Sequence, residues 1–213
     1  MRAFFSAFRW PLLFILVLLI VLAVYSAAYL KRVSAGYLYA YPLVLMEFSK
    51  EAMLADKSGK IRLNSFNHIQ SFPDHHFRNV VRPNVDTLYS IAWLDLTTEP
   101  LVLSVPDTKG RYYVMPLMDA WTNVFAMVGK RTHGTKAGEY LIAGPDWQGE
   151  VPNNTELIQS PTNMVWMIGR IQTNGTEDIP AVSHLQEGFK LYPFKKWLKG
   201  DFGDHYFSVS ASS

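Results

Sequence analysis

The chain of 213 residues contains no cysteine, which excludes disulfides, thiolate nucleophiles and cysteine-ligated zinc. It is also short of charge: 18% of residues are Asp, Glu, Lys or Arg, and the formal net charge is +2. So small an excess gives no argument for a nucleic-acid partner. No G-x-S-x-G is present, so the nucleophile elbow of the hydrolase type is missing. There is no H-E-x-x-H and no pair of histidines at helical i, i+4 spacing. The run Gly129-Lys130-Arg131-Thr132-His133-Gly134-Thr135-Lys136 begins like a phosphate loop. Its second glycine is followed by Thr-Lys instead of Lys-Thr, which misplaces the lysine for the β and γ phosphates, and it reads as a basic loop. Asp74-His75-His76 invites a metal, but in an extended chain neighbouring side chains point to opposite faces. The spacing matches no familiar ligand set. Neither a metal nor a cofactor is expected. Repeats and low-complexity tracts are absent too.

What is plentiful is hydrophobicity, concentrated at one place. From Pro11 to Leu30 there is no charged residue, and only Ser26 is clearly polar. Twenty helical residues at about 1.5 Å each span roughly 30 Å, the thickness of a bilayer's hydrocarbon layer. A soluble helix of that length would carry a polar stripe. The run therefore reads as a transmembrane segment, with the lipid bilayer as its partner through residues 11–30. Arg2 and Arg9 before it and Ser26-Ala27-Ala28 near its end are also features of a cleavable signal peptide. Hydrophobicity nevertheless continues through Tyr29 and Leu30 to Lys31 and Arg32, an interfacial stop, which favours an uncleaved anchor. The basic residues on the two sides nearly balance, so charge alone does not set the orientation. A short basic tail (1–10), the anchor (11–30), one domain (34–198) and a C-terminal tail (199–213) make up the expected organisation.

Within the domain, Tyr37 to Asp56 reads as a helix, because Leu38, Tyr41, Leu45, Phe48, Ala52 and Ala55 recur every three or four places. Pro42 implies either a start near Tyr41 or a kink. Beyond residue 80 the period becomes two. Strands are expected at Leu88–Leu96, Leu101–Val105, Arg111–Leu117, Thr122–Val128, Glu139–Ala143 and Asn163–Gln172, with a closing helix at Ile179–Lys190. Pro106-Asp107-Thr108-Lys109-Gly110 has the composition of a turn and suggests a hairpin. Several strands are apolar on both faces, as in a sandwich or a sheet covered by helices. The expected class is mainly β, antiparallel and sandwich-like, with flanking helices near 37–56 and 179–190 and one N-terminal transmembrane helix.

Two polar rows stand out among these strands. Arg82, Asn84 and Asp86, followed by Tyr89, form one if the chain is extended there. Asp119, Trp121 and Asn123 form the other. Buried polar groups need partners, so the rows either satisfy one another, with Arg82 forking to a carboxylate, or line a polar pocket.

At these residues the chain resembles the domain-of-unknown-function 1254 family. The resemblance rests on Ala40-Tyr41-Pro42-Leu43-Val44, Phe72-Pro73-Asp74, Arg82-Pro83-Asn84-Val85-Asp86-Thr87-Leu88-Tyr89 and Asp119-Ala120-Trp121-Thr122-Asn123. Gly144-Pro145-Asp146-Trp147 and Ser160-Pro161-Thr162-Asn163 add to it, and together these runs cover roughly Gly36 to Trp197. The resemblance implies a β-sandwich-like N-terminal domain of an exported, mostly bacterial protein, with the bulk of the chain on the periplasmic side. It brings no catalytic residues. Such proteins commonly continue into a second, all-β domain, whereas this chain ends at Ser213, so the resemblance implies either a single-domain member or one whose partner is a separate second domain or protein. Two readings of function stand side by side: a binding or assembly module of the cell envelope, and an enzyme of hydrolase or lyase type built from Arg82, Asp86 and a histidine. Asp86 in an open pocket beside His68 or His133 would favour the enzyme.

Overall fold

A strand buried on one side and open on the other alternates apolar and polar residues, and one buried on both sides does not. Both patterns occur in the computed structural model, which describes residues 2–55, 61–73 and 84–202. In chain order its elements are α1 (Arg2–Leu54), β1 (Asn67–His68), β2 (Thr87–Asp95), β3 (Leu101–Val105), β4 (Tyr113–Met118), β5 (Val124–Gly129) and α2 (Lys130–His133). There follow β6 (Gly138–Ala143), β7 (Thr155–Gln159), β8 (Met164–Gln172), a 3₁₀ turn (Thr176–Asp178), α3 (Ile179–Gln186), β9 (Lys190–Pro193) and α4 (Phe194–Leu198). The chain divides into two units, Met1–Val44 and Leu45–Ser213.

The first unit is helical. Its apolar side chains from Trp10 to Leu30 lie exposed, with Trp10 at 78% and Phe14 at 70%. Among the described residues α1 is the one helix long and apolar enough to cross a membrane. The helix expected to begin near Tyr37 is not a separate element, because α1 runs unbroken through both Pro11 and Pro42. A proline inside a helix removes one backbone hydrogen bond, and the apolar sequence on both sides of Pro42 outweighs that loss.

The second unit is a β-sandwich. One sheet has the order β1-β2-β8-β4-β5 and the other β7-β6-β3-β9. Neighbours pair antiparallel except β6 and β7, which run parallel. The spine of the first sheet is the β2–β8 ladder, in register from Thr87↔Gln172 to Asp95↔Met164. Leu88, Ala92 and Leu94 from β2, Met115 and Leu117 from β4, and Leu103 and Ile142 from the other sheet fill the interior. Each large apolar side chain removed from water there contributes about 1.5–3 kcal/mol before entropy is counted.

The strands expected from sequence are present, each displaced by at most two residues at either end. The turn at Asp107–Gly110 is real: the Asp107 carboxylate accepts the Lys109 N–H at 2.8 Å, and Lys109 and Gly110 have φ of 50° and 86°. It does not close a hairpin, however, because β3 and β4 lie in different sheets. The closing helix stops at Gln186 and gives way to β9, whose four residues pair with β3. The apolar stripe that marks the helix in the sequence is not the face that is buried. Met46, at 2% exposed, is the buried residue there, and Leu45 and Phe48 stand open at 49% and 69%.

Candidate functional site

The first polar row begins the β2 strand. Asn84 is half-buried and consumed by its own turn. Its carbonyl oxygen accepts the Asp86 N–H at 2.8 Å, and its amide donates to the Thr87 carbonyl at 3.2 Å and to the Thr87 hydroxyl. Asparagine side chains that bridge two residues onward fix turns in this way. Asp86 is exposed, and its backbone carbonyl accepts the Thr173 N–H at 3.0 Å. Tyr89 lies on the outer face of the sheet, with the Arg170 guanidinium 5.4 Å from its ring centroid, a cation–π contact. Arg82 and Asp74-His75-His76 lie outside the described residues.

A charged pair that sequence reasoning missed completes this end of the sheet. Arg111 forks onto Asp178 with distances of 2.5 and 2.9 Å and also donates to the Gln172 carbonyl at 2.9 Å. The hydrogen bond from Arg111, reinforced by the Asn174 N–H, holds the Asp178 carboxyl below the usual carboxylate range. The partners stand 67 residues apart, so no local pattern announces them.

The second row is not extended. Asp119 is 5% exposed, and one of its carboxylate oxygens accepts the N–H groups of Trp121 and Asn123, both at 2.9 Å. Its other oxygen accepts the Asn123 side-chain amide at 3.2 Å. With Thr122 at a φ of 68°, residues 119–123 form the tight turn that joins β4 to β5. Half-buried Trp121 and exposed Asn123 are carried on it.

The two rows occupy opposite ends of one sheet. Leu88 and Tyr113 both face Ile171, whereas Trp93 and Met118 both face Trp166. Five strand residues, about 17 Å, thus separate the Asn84–Asp86 end from the Asp119–Asn123 end. Among the described residues, Asn84 and Asp86 come together, as do Asp119, Trp121 and Asn123, but the two groups do not share a pocket.

Between the ends, a polar cluster built from three distant elements faces the sandwich interior. His68 Nδ1 lies 2.8 Å from the Ser90 hydroxyl. The fully buried Gln186 donates to that hydroxyl at 3.2 Å and to the Tyr89 carbonyl at 2.9 Å. The Ser90 hydroxyl, with one proton and two lone pairs, thus bridges the imidazole and the Gln186 amide. Burial lowers the His68 pKa from 6.5 to about 4, which keeps the ring neutral. The arrangement couples a base to a hydroxyl, but Ser90 is 0% exposed and out of reach of a substrate. Neither histidine named in the sequence reading bonds to Asp86. His68 holds Ser90, and His133 bonds Thr132 at 2.7 Å and Glu156 at 3.2 Å. On the other sheet, Glu139 accepts from Ser104 at 2.8 Å, and burial raises its pKa.

The outer face of the first sheet is different in character. Trp93 and Trp166 stack at 4.7 Å, and the Trp93 indole N–H points to Met53 Sδ at 3.2 Å, so this part is covered by the end of α1. Further along, Ile91, Ile168, Pro116 and Met118 are only half-buried, while Val124 and Met127 on the edge strand β5 are 52% and 43% exposed. The result is an apolar surface bounded by a polar turn at either end.

These features define a β-sandwich domain continuous in sequence with a long apolar helix, with its polar residues engaged in turns and its outer sheet face partly open. The chain belongs to the family described as Protein of unknown function (DUF1254), whose model matches residues 63–193. A similar solved structure is that of the VPA0106 protein from Vibrio parahaemolyticus, with 28% identity and a TM-score of 0.59. The similarity covers 83% of this chain and 41% of that one, so the chain spans less than half the length of its structural relative. An uncharacterised protein from Burkholderia cenocepacia shares 11% identity at a TM-score of 0.37, over 54% of this chain and 32% of its own. No curated protein matches.

Proposed function

We propose that the chain is a membrane-anchored binding or assembly module of the cell envelope. In this reading α1 crosses the bilayer through residues 11–30, and the sandwich stands on the extracytoplasmic side. The observation that carries the binding role is the outer face of the first sheet, where Val124 and Met127 are exposed beside half-buried Pro116, Met118 and Ile168. Exposed apolar surface of this kind marks sites of protein association. The polar residues an enzyme would use are otherwise engaged: Asn84 and Asp119 shape turns, and Ser90 is sealed.

Photo-crosslinking residues placed singly at Val124, Met127 and, as a control, at Lys109 in the exposed turn before β4 test this in intact cells. The proposal expects one discrete adduct shared by Val124 and Met127 and absent at Lys109. Equal labelling at all three positions, or none at any, would contradict it.

A further inference from the structure

An asparagine followed by glycine is where a peptide chain most readily attacks its own side chain, because glycine's missing Cβ leaves its backbone nitrogen free to approach. Asn174-Gly175 is the one such pair in the sequence. It lies between β8 and the 3₁₀ turn, and both residues are exposed. Among the described residues the Gly175 N–H makes no hydrogen bond, so the attacking atom is uncommitted. The Asn174 side-chain oxygen accepts from the Gln172 amide at 3.4 Å. That donor stands where negative charge gathers once the Asn174 carbonyl is attacked. Other turn asparagines are tied down. Asn64 accepts the Asp95 N–H and donates back to the Asp95 carbonyl, and both ends of the Asn84 amide are engaged.

We propose that Asn174 is a self-modification site, at which the chain deamidates through a succinimide to aspartate and isoaspartate. The Gly175 nitrogen gives its proton to solvent hydroxide and forms a bond to the Asn174 Cγ. The Cγ–Nδ2 bond breaks, and the amide nitrogen takes a proton from water and leaves as ammonia. Water then opens the ring at either carbonyl, with no oxidation or reduction. One opening gives aspartate; the other leaves the main chain running through Cβ, which is isoaspartate. The position makes the change felt beyond the turn. The Asn174 N–H is bonded to Asp178 Oδ2 at 2.9 Å, and Asp178 is the carboxylate onto which Arg111 forks. The Gly175 carbonyl accepts the Asp178 N–H at 3.2 Å and the Thr173 hydroxyl at 3.0 Å. An added main-chain bond at residue 174 throws these contacts out of step, and the new carboxylate repels that of Asp178. The turn that leads β8 into α3 is thereby loosened, and α3 carries the buried Val182 and Gln186.

The test follows the full chain, purified in detergent and incubated at pH 6 and pH 8, both folded and in urea. Digestion and mass spectrometry then separate amide, aspartate and isoaspartate at each asparagine. In the folded chain, acid is expected at residue 174 about tenfold faster than at Asn64 or Asn84. The reaction should run faster at pH 8 than at pH 6, with isoaspartate the larger product and a lower Tm in the modified fraction. Gln172→Ala should slow it by about two- to tenfold, the worth of one neutral hydrogen bond. Asn174→Gln, whose extra methylene demands a larger ring that closes far more slowly, should stay amide. If residue 174 stays amide in the folded chain while reacting in urea, the turn protects the bond and the proposal is overturned. Equal rates at residues 64, 84 and 174, or a rate indifferent to pH, would overturn it too. A modified fraction with unchanged Tm would overturn the coupling to Asp178.

Discussion

His68 shows how one side chain can set the pH response of a fold. Its Nδ1 shares a hydrogen bond with the Ser90 hydroxyl, its ring stacks on Phe66 at 5.3 Å, and burial lowers its pKa to about 4. The unfolded chain protonates this histidine near pH 6.5, before the native one does. The stabilising contribution is therefore complete above pH 6.5 and is lost as the pH falls through that value toward 4. The loss amounts to about 2 kcal/mol by pH 5. Glu139 acts in the opposite direction, because a carboxyl raised by burial takes up its proton more readily in the native state. Thermal unfolding of the detergent-solubilised chain should show Tm falling between pH 7.5 and pH 5. His68→Gln should flatten that slope even if it lowers stability at both pH values. An unchanged slope would show that His68 is not the group responsible.

At the scale of elements, close backbone approach decides what each strand tolerates. Gly129 ends β5 in extended geometry, with φ of 175°, so its conformation does not require glycine. Its spacing does: a Cβ there would come within 2.7 Å of the Tyr113 carbonyl oxygen and 3.1 Å of the Val114 Cα. Both are backbone atoms of the paired strand and cannot rotate away. Gly129→Ala should destabilise the chain by about 1–3 kcal/mol through overpacking, read as a lower Tm with an unchanged fold by circular dichroism. A neutral result would mean that β4 and β5 separate more easily than their register suggests.

Elements of this kind were legible in the sequence wherever the alternation was strong. Leu101–Val105 was read to the residue, and β2, β6 and β8 to within one residue at each end. The short strands β1, β7 and β9 are not: β1 has two residues and β9 four, too few to show a period, and β7 buries only Ile158. The false hairpin at Pro106–Gly110 has a similar origin: composition specifies that the chain turns, but not which sheet receives it. The candidate site divided in the same way. Asn84 and Asp119 stand out in the sequence as polar residues beside apolar strands, yet a linear pattern cannot tell a polar row from a turn that consumes its own side chains. The His68–Ser90–Gln186 cluster joins residues 22 and 96 positions apart, and only the assembled sheet and α3 bring them together.

For the whole molecule, the account depends on α1. Its apolar residues from Trp10 to Leu30 are exposed, and removing them from water into a bilayer supplies far more than any contact in the sandwich. The claim that matters most is that this helix holds the sandwich outside the cytoplasm. It is tested directly by introducing Lys109→Cys, the only thiol in the chain, and labelling intact spheroplasts with a membrane-impermeant maleimide before carbonate extraction. The account predicts a full-length labelled chain that stays in the membrane pellet. Labelling only after lysis, or a shortened labelled chain in the soluble fraction, would contradict it.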